Sequence, residues 1–170
     1  TEEVENFREL LHHAIHAMYE AKNEGRNTWH WYTSGSNTVH KVNDIQLRHE
    51  LIMALEDEQF KLFYQPIVDS LTNKIVGVEA LIRWFHPERG LISPLSFIPL
   101  AERTGQISAI GNWVLNQACK DITEINKNRP DQLSVAVNIS PIQFKRTNFL
   151  AELRNTLLTN NFDAKLLKIE

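Results

Sequence analysis

Gly77-Val78-Glu79-Ala80-Leu81-Ile82-Arg83-Trp84 decides how this chain is read. The run from Ile75 to Trp84 is apolar, β-branched and aromatic, with turn residues before it and Pro87 soon after, which predicts a strand. Side chains alternate across a strand, so Val76, Val78, Ala80, Ile82 and Trp84 share one face. Gly77, Glu79, Leu81 and Arg83 share the other. Glu79 and Arg83 therefore look the same way from backbones roughly 13 Å apart, too far for a simple ion pair. On its own Glu79 could be a solvated charge. A carboxylate and a guanidinium facing one space without neutralising each other imply a third, charged object.

Two further strands sharpen this. Leu133-Ser134-Val135-Ala136-Val137-Asn138-Ile139 sets Leu133, Val135, Val137 and Ile139 on one face and Ser134, Ala136 and Asn138 on the other. Leu166 to Glu170 starts a third, with Glu170 at its end. Each strand carries an oxygen-bearing side chain at or near its C-terminal end, the edge where parallel α/β proteins build their sites. Glu79, Asn138 and Glu170 are hard oxygen ligands suited to Mg²⁺ or Mn²⁺, and no thiol or imidazole cluster argues for zinc.

Phe60 to Val68 reads as a strand ending near Pro66, and Asp69-Ser70-Leu71-Thr72-Asn73 is a short, turn-like connection to the Glu79 strand. So short a connection permits an antiparallel pair and cannot cross over to a parallel one. Phe85 to Gly90 reads as a loop. Ser93-Pro94 opens a short helix that ends by Gly105. A second helix runs from about Ile107 to Asn126, with Ile110, Val114, Ala118, Ile122 and Ile125 as its buried stripe. Trp113 is assigned to the core rather than to base stacking. Ser140-Pro141 caps a helix carrying Phe149, Leu153 and Leu157 on one face, ended by Asn160 and Asn161.

These residues carry a family resemblance. Glu79-Ala80-Leu81 followed by Ile82-Arg83-Trp84 resembles the signature of the EAL domain, the cyclic-di-GMP phosphodiesterase of bacterial signalling. The likeness runs from about Leu47 to Glu170. It passes through Tyr64-Gln65-Pro66-Ile67-Val68, Phe97-Ile98-Pro99-Leu100-Ala101-Glu102, Ile110-Gly111-Asn112-Trp113-Val114-Leu115 and Val137-Asn138-Ile139-Ser140. A lone Glu-Ala-Leu suits any helix; several blocks in the family's order are specific. The resemblance implies an α/β fold, a modified TIM-type (β/α) barrel with an antiparallel first strand, of which this chain holds part. It implies metal positions at Glu79, Asn138 and Glu170, a phosphate contact at Arg83 and a guanine contact at Gln65. It also implies that the remaining metal donors and the lysine near the attacking water lie beyond Glu170, so that no catalytic base is present and the segment alone is inert. Lys168 stands where the family often has an acidic residue. An inward Lys168 either neutralises Glu170 or sits deeper and pairs elsewhere, and the sequence leaves both open.

The implied function is metal-dependent hydrolysis of cyclic-di-GMP to linear pGpG by a longer parent protein. The competing reading is a receptor that holds cyclic-di-GMP without cutting it. Receptor versions generally have a degraded Glu-Ala-Leu or lost metal ligands, whereas Glu79, Asn138 and Glu170 stand here.

The N-terminal region reads as an amphipathic helix from Glu2 to Asn27, with Val4, Phe7, Leu11, Ala14, Met18 and Ala21 in one stripe. His12, His13 and His16 span adjacent faces and make no metal site. Ala14 to Asn27 resembles the last helix of a GGDEF diguanylate cyclase domain, in which the positions of Lys22 and Arg26 contact nucleotide phosphates. Ile15 stands where that family has an aspartate, and its signature would lie upstream. Thr28 to Tyr32 reads as a short last strand. The expected organisation is 1–33 as the remnant of a GGDEF-like domain, 34–44 as a polar linker, and 45–170 as the N-terminal half of an EAL domain. Asp44 caps the first helix of that half, which runs to about Asp57 and turns Ile45, Leu47, Leu51, Ile52 and Leu55 toward a core.

Composition holds nothing against a reducing cytoplasm, the location expected here. Of 170 residues 42% are hydrophobic, enough for a core, and a single cysteine, Cys119, allows no internal disulfide. A net charge of −3 gives no electrostatic footing for a nucleic-acid polymer. No apolar run approaches a membrane span, and any membrane anchor would be encoded upstream. The expected partners are cyclic-di-GMP, a second copy of the EAL domain in a homodimer, and a tandem GGDEF domain in the same chain.

Overall fold

The computed structural model describes residues 47–170, together with Ala14, Ala17, Met18, Ala21, Trp29 and Trp31. The chain divides into two compact units, Thr1–Asp44 and Ile45–Glu170. In the first unit Ala14, Ala17, Met18 and Ala21 are helical; Ala21 is buried, while Ala14 and Met18 are exposed. Trp29 and Trp31 lie in no strand, contrary to the strand expected over Thr28 to Tyr32, and their rings meet edge to face at 5.6 Å. A ladder needs a neighbouring strand, and among the described residues none pairs with them. The linker at 34–44, Asp44, and the positions of Lys22 and Arg26 lie outside the described residues.

The second unit is built on one five-stranded sheet. Strand β1 (Phe60–Val68) pairs antiparallel with β2 (Ile75–His86), which pairs antiparallel on a hairpin with β3 (Gly90–Ile92) and parallel with β4 (Ser134–Val137). Strand β5 (Leu167–Ile169) pairs parallel with β4. The β1–β2 turn is held by Asp69, whose Oδ1 accepts from the backbone N–H of Leu71 and Thr72 and from the Thr72 hydroxyl at 2.8–3.1 Å. The bonds from Thr72 lead in holding the Asp69 carboxyl below its ordinary range. Asn73 completes the turn at φ 54°. The first strand is thus reversed and those that follow the helices run parallel, as the connection lengths dictate.

Helices α1 (Pro94–Thr104) and α2 (Ile107–Asn126) form the crossover from β3 to β4; α3 (Pro141–Phe144) and α4 (Phe149–Thr159) form that from β4 to β5, with a 3₁₀ turn at Ala164–Leu166. Helix α1 has the expected signals: Ser93 Oγ accepts from Leu95 N–H, proline opens the helix, and Gly105 ends it at φ 79°. Helix α2 ends in Asn126, a buried amide satisfied on both sides by Leu133: its Nδ2 donates to the Leu133 carbonyl at 3.0 Å and its Oδ1 accepts from Leu133 N–H at 2.9 Å.

The core lies between the helices and the sheet face carrying Phe60, Val78, Ala80, Trp84, Val135 and Val137. Phe60, Trp84 and Phe97 pack with ring centroids 5.6–5.8 Å apart, and Trp84, fully buried, satisfies its indole N–H on Gln59 Oε1 at 2.9 Å. Each such side chain contributes about 1.5–3 kcal/mol on burial. Trp113 joins this cluster 5.9 Å from Phe60, the core placement read from the sequence.

Four local expectations are corrected. The helix expected to reach Asp57 is helical only over 47–53 among the described residues; turns follow, with Gln59 N–H closing on Ala54 O and Glu58 at φ 53°. Ile52 and Ile125 are exposed (51% and 44%). Leu51 is buried and Leu55, in the turn after the helix, packs on the core as expected, while on α2 the buried i,i+4 row continues to Asn126 in place of Ile125. Phe85 and His86 extend β2 rather than starting a loop, because the left-handed Gly90 (φ 68°) lets residues 90–92 fold back onto them. The single helix expected after Ser140 is two, broken so that Phe149 turns into the core and stacks on Phe144 at 5.5 Å.

Candidate functional site

Strand register brings the sequence-selected residues to one side of the sheet. Gln65 pairs with Glu79 across β1–β2, Glu79 with Ala136 across β2–β4, and Ala136 with Lys168 across β4–β5. These four positions form one row on the face opposite the helices. Asn138 and Glu170 follow two residues later on the same face, beyond the last paired residues Val137 and Ile169. Their backbones are tied together: Ile139 N–H donates to the Glu170 carbonyl at 2.8 Å, and Glu170 N–H to the Val137 carbonyl at 3.1 Å.

Asn138 Nδ2 donates to Glu79 Oε1 at 2.8 Å. Glu79 and Arg83 do not pair; the guanidinium donates from Nη1 to the Ile82 carbonyl at 2.8 Å and lies 5.7 Å over the Phe63 ring. The two charges thus leave each other unneutralised, as the strand pattern predicts. Lys168 lies one dyad step deeper than Glu170, is exposed, and forms no ion pair with it. Of the alternatives left open for Lys168, direct neutralisation of Glu170 is the one this geometry lacks.

Among the described residues no group of three or more His, Cys, Asp or Glu side chains is placed to hold a metal. The oxygen set at the edge is two carboxylates and an amide. An Asn amide turned by half a rotation presents oxygen where it now presents nitrogen, which sets an oxygen near 2.8 Å from Glu79 Oε1. Oxygens at 2.0–2.1 Å around an octahedral ion sit about 3 Å apart, so Glu79 and Asn138 fit adjacent ligands of a small hard cation. The set is compatible with Mg²⁺ or Mn²⁺.

A cleft of about 290 Å³ opens between β2, helices α1 and α2, and the segment that leads from β4 into α3. Arg83 and Asn138 line it, with three polar residues that strand reasoning missed: Glu102, Ser140 and Gln143. Their signal was only their membership of recurring sequence blocks or helix-cap motifs, since polar side chains on helix ends read as solvent-facing.

Asn138 and Glu170 stand at the C-terminal ends of their strands as expected, but Glu79 does not, because the hairpin with β3 carries β2 on to His86. These features define a class: a (β/α) barrel of the TIM type, present in part, with a reversed first strand and a hard-oxygen set beside the ends of β4 and β5. More narrowly, the chain belongs to the EAL-domain family, which its residues 48–170 match. It is 41% identical over 162 residues to the bifunctional diguanylate cyclase/cyclic di-GMP phosphodiesterase MucR of Pseudomonas aeruginosa, covering 95% of this chain and 24% of MucR. It is 36% identical over 166 residues to the cyclic di-GMP phosphodiesterase NbdA of the same organism, covering 98% of this chain and 21% of NbdA. Among solved structures, the PaMucR phosphodiesterase in complex with c-di-GMP superposes with a TM-score of 0.70 at 42% identity, over 73% of this chain and 50% of that one. The chain thus spans about a quarter of the length of these curated relatives and half of the solved domain.

Proposed function

We propose that this chain is the N-terminal half of an EAL-domain phosphodiesterase that hydrolyses cyclic-di-GMP to linear pGpG in bacterial second-messenger signalling. The observation that carries the reading is the contact of Glu79 with Asn138 at a shared strand edge, with Glu170 beside it. Phosphodiesterases among the similar proteins, at 36–42% identity, support the same substrate.

In this reading Glu79, Asn138 and Glu170 hold divalent metal, Mg²⁺ or Mn²⁺. Such ions supply an activated water and charge stabilisation on phosphate. Arg83 offers two parallel N–H donors to phosphate oxygens, with its guanidinium held over the Phe63 ring. Gln65, exposed and level with Glu79, offers one donor and one acceptor group to a guanine edge. The remaining donors and the base are supplied by residues beyond Glu170, so the segment alone is inactive; measurable turnover by the purified 170-residue chain would overturn that part.

Upstream, residues 1–33 are the tail of a GGDEF domain and 34–44 a linker, supported by the alignment to bifunctional MucR over nearly the whole chain. No helix among the described residues is long and apolar enough to cross a membrane. A cytoplasmic location and an EAL homodimer complete the proposal. The test is cyclic-di-GMP turnover in Mg²⁺ by the full-length protein beside Glu79→Ala. Linear pGpG from the first and none from the second supports the phosphodiesterase. Binding without turnover makes it a receptor.

A further inference from the structure

We infer that Glu102, on α1, is a positioning residue that fixes Asn138 through Ser140; the inference rests on the metal reading of Asn138. Asn138 is exposed, and among the described residues its side chain is held by Glu79 alone. Its orientation therefore depends on how firmly the backbone of residues 138–143 is placed.

Three contacts place it. On the β5 side, Ile139 N–H is bound to the Glu170 carbonyl at 2.8 Å. On the opposite side, Ser140 Oγ donates to Glu102 Oε1 at 2.7 Å and also accepts from Ile142 N–H at 3.2 Å as the cap of α3. A hydroxyl bound to a carboxylate is a short, charge-assisted bond, stronger than a neutral one. Gln143, at 1% exposure, is seated on Gly111 of α2, where an added Cβ would fall 2.1 Å from its Oε1. The segment is thus pinned from α1, α2 and β5, and among the described residues the Glu102 contact is the one that reaches it from a charged side chain, at Ser140, two positions from Asn138. Glu102 stands to Asn138 as an outer partner stands to a metal ligand: it does not bind the ion but sets the ligand's angle.

The test measures Mn²⁺ affinity by electron paramagnetic resonance in the full-length protein, with cyclic-di-GMP affinity in EDTA as the control. Glu102→Ala is expected to weaken Mn²⁺ binding about 10–100-fold. Glu102→Gln, which keeps an acceptor for the Ser140 hydroxyl, is expected to stay within about threefold of wild type, and nucleotide affinity in EDTA within about twofold, since the partner contact is kept. In an Asn138→Ala background the Glu102→Ala loss should vanish, because a positioning residue has no effect without its target. Ser140→Ala tests the same bond from the other side should Glu102→Ala fold poorly. A loss that persists without Asn138, or a wild-type affinity in both Glu102→Ala and Ser140→Ala, overturns the inference alone. An unchanged Mn²⁺ affinity in Asn138→Ala overturns the metal reading beneath it.

Discussion

Asn138 Nδ2 lies 2.8 Å from Glu79 Oε1, although the two residues are 59 positions apart. Two side chains on neighbouring parallel strands meet this closely only because β2 and β4 pair with Glu79 beside Ala136, whose methyl leaves the space between them free. Removing either partner should therefore remove the function of the other. Glu79→Ala and Asn138→Ala are each expected to lower pGpG formation by the full-length protein at least about 100-fold, and the double variant no further than the worse single. Rates from product chromatography at saturating Mg²⁺ check this; additive losses would mean that the two residues act separately.

Arg83 gives a test on the nucleotide side. Its guanidinium lies 5.7 Å over the Phe63 ring and is tied to the Ile82 carbonyl, so its position is set before ligand arrives. Arg83→Lys keeps the charge and loses the fork, and is expected to weaken cyclic-di-GMP binding about tenfold. Phe63→Ala removes only the stacking surface, worth about 0.5–1 kcal/mol, and is expected to weaken binding about two- to fivefold. Calorimetry in Ca²⁺ separates the two, and equal effects would deny Phe63 an indirect role.

Much of this arrangement was legible before any coordinates. The reversed β1–β2 pair followed from the five residues between Val68 and Lys74, and the bounds of α1 from Ser93-Pro94 and Gly105. Asn138 and Glu170 stand out because strand ends are few, and Glu79 because strand alternation sets it on one face with Arg83. Strand β3 was hidden, since three residues behind Pro87 and Gly90 carry no periodicity and owe their pairing to a left-handed glycine. Glu102 was hidden for a different reason. Its role depends on a hydroxyl 38 positions away, and no local pattern encodes such a contact.

Gly77 shows how tightly β2 and β4 approach. A Cβ there would fall 2.4 Å from Ser134 Oγ and 3.0 Å from the Ser134 carbonyl oxygen. Gly77→Ala is expected to destabilise the protein by about 1–3 kcal/mol, because the backbone oxygen cannot move without breaking the ladder that aligns Glu79. Adding Ser134→Gly removes the nearer atom and should restore only part. Urea denaturation of both variants checks the order, and full restoration would show that the carbonyl yields.

Stability should also fall in alkali, with a sign set by two buried groups. Burial pushes the Cys119 thiol from its ordinary 9.0 up to about 11. Tyr64 is raised above its ordinary 10.0, first by burial and then by its 2.7 Å bond to Asp121. Between pH 9 and 11 the unfolded chain releases the thiol proton and the folded chain keeps it, so unfolding becomes easier as pH rises. The expected slope from Cys119 approaches about 1.4 kcal/mol per pH unit, steepening above pH 10 as Tyr64 joins. Cys119→Ala should remove the first component and leave the second, as read from denaturation midpoints at pH 8, 9.5 and 10.5. Identical slopes in wild type and variant would show that the thiol ionises freely in the folded protein.

The junction between the first helix of the barrel and the site strand is a polar cluster around the buried ring of His86. His86 is 4% exposed in its side chain, and its Nδ1 accepts from the backbone N–H of Glu88 and Arg89 at 3.1 and 3.2 Å. The ring proton must then sit on Nε2, which faces Glu50 Oε2 at 3.3 Å; Arg89 Nε approaches the same oxygen at 3.4 Å. Glu50→Ala removes the carboxylate oxygen that both nitrogens face within 3.5 Å and should cost about 1–3 kcal/mol. Glu50→Gln keeps an acceptor and should cost less than half as much. His86→Phe fills the same space without a donor, so it should make a following Glu50→Ala change nearly silent. Thermal unfolding of the four proteins decides it, and a full Glu50→Ala penalty in the His86→Phe background would assign the stabilisation to Arg89 instead.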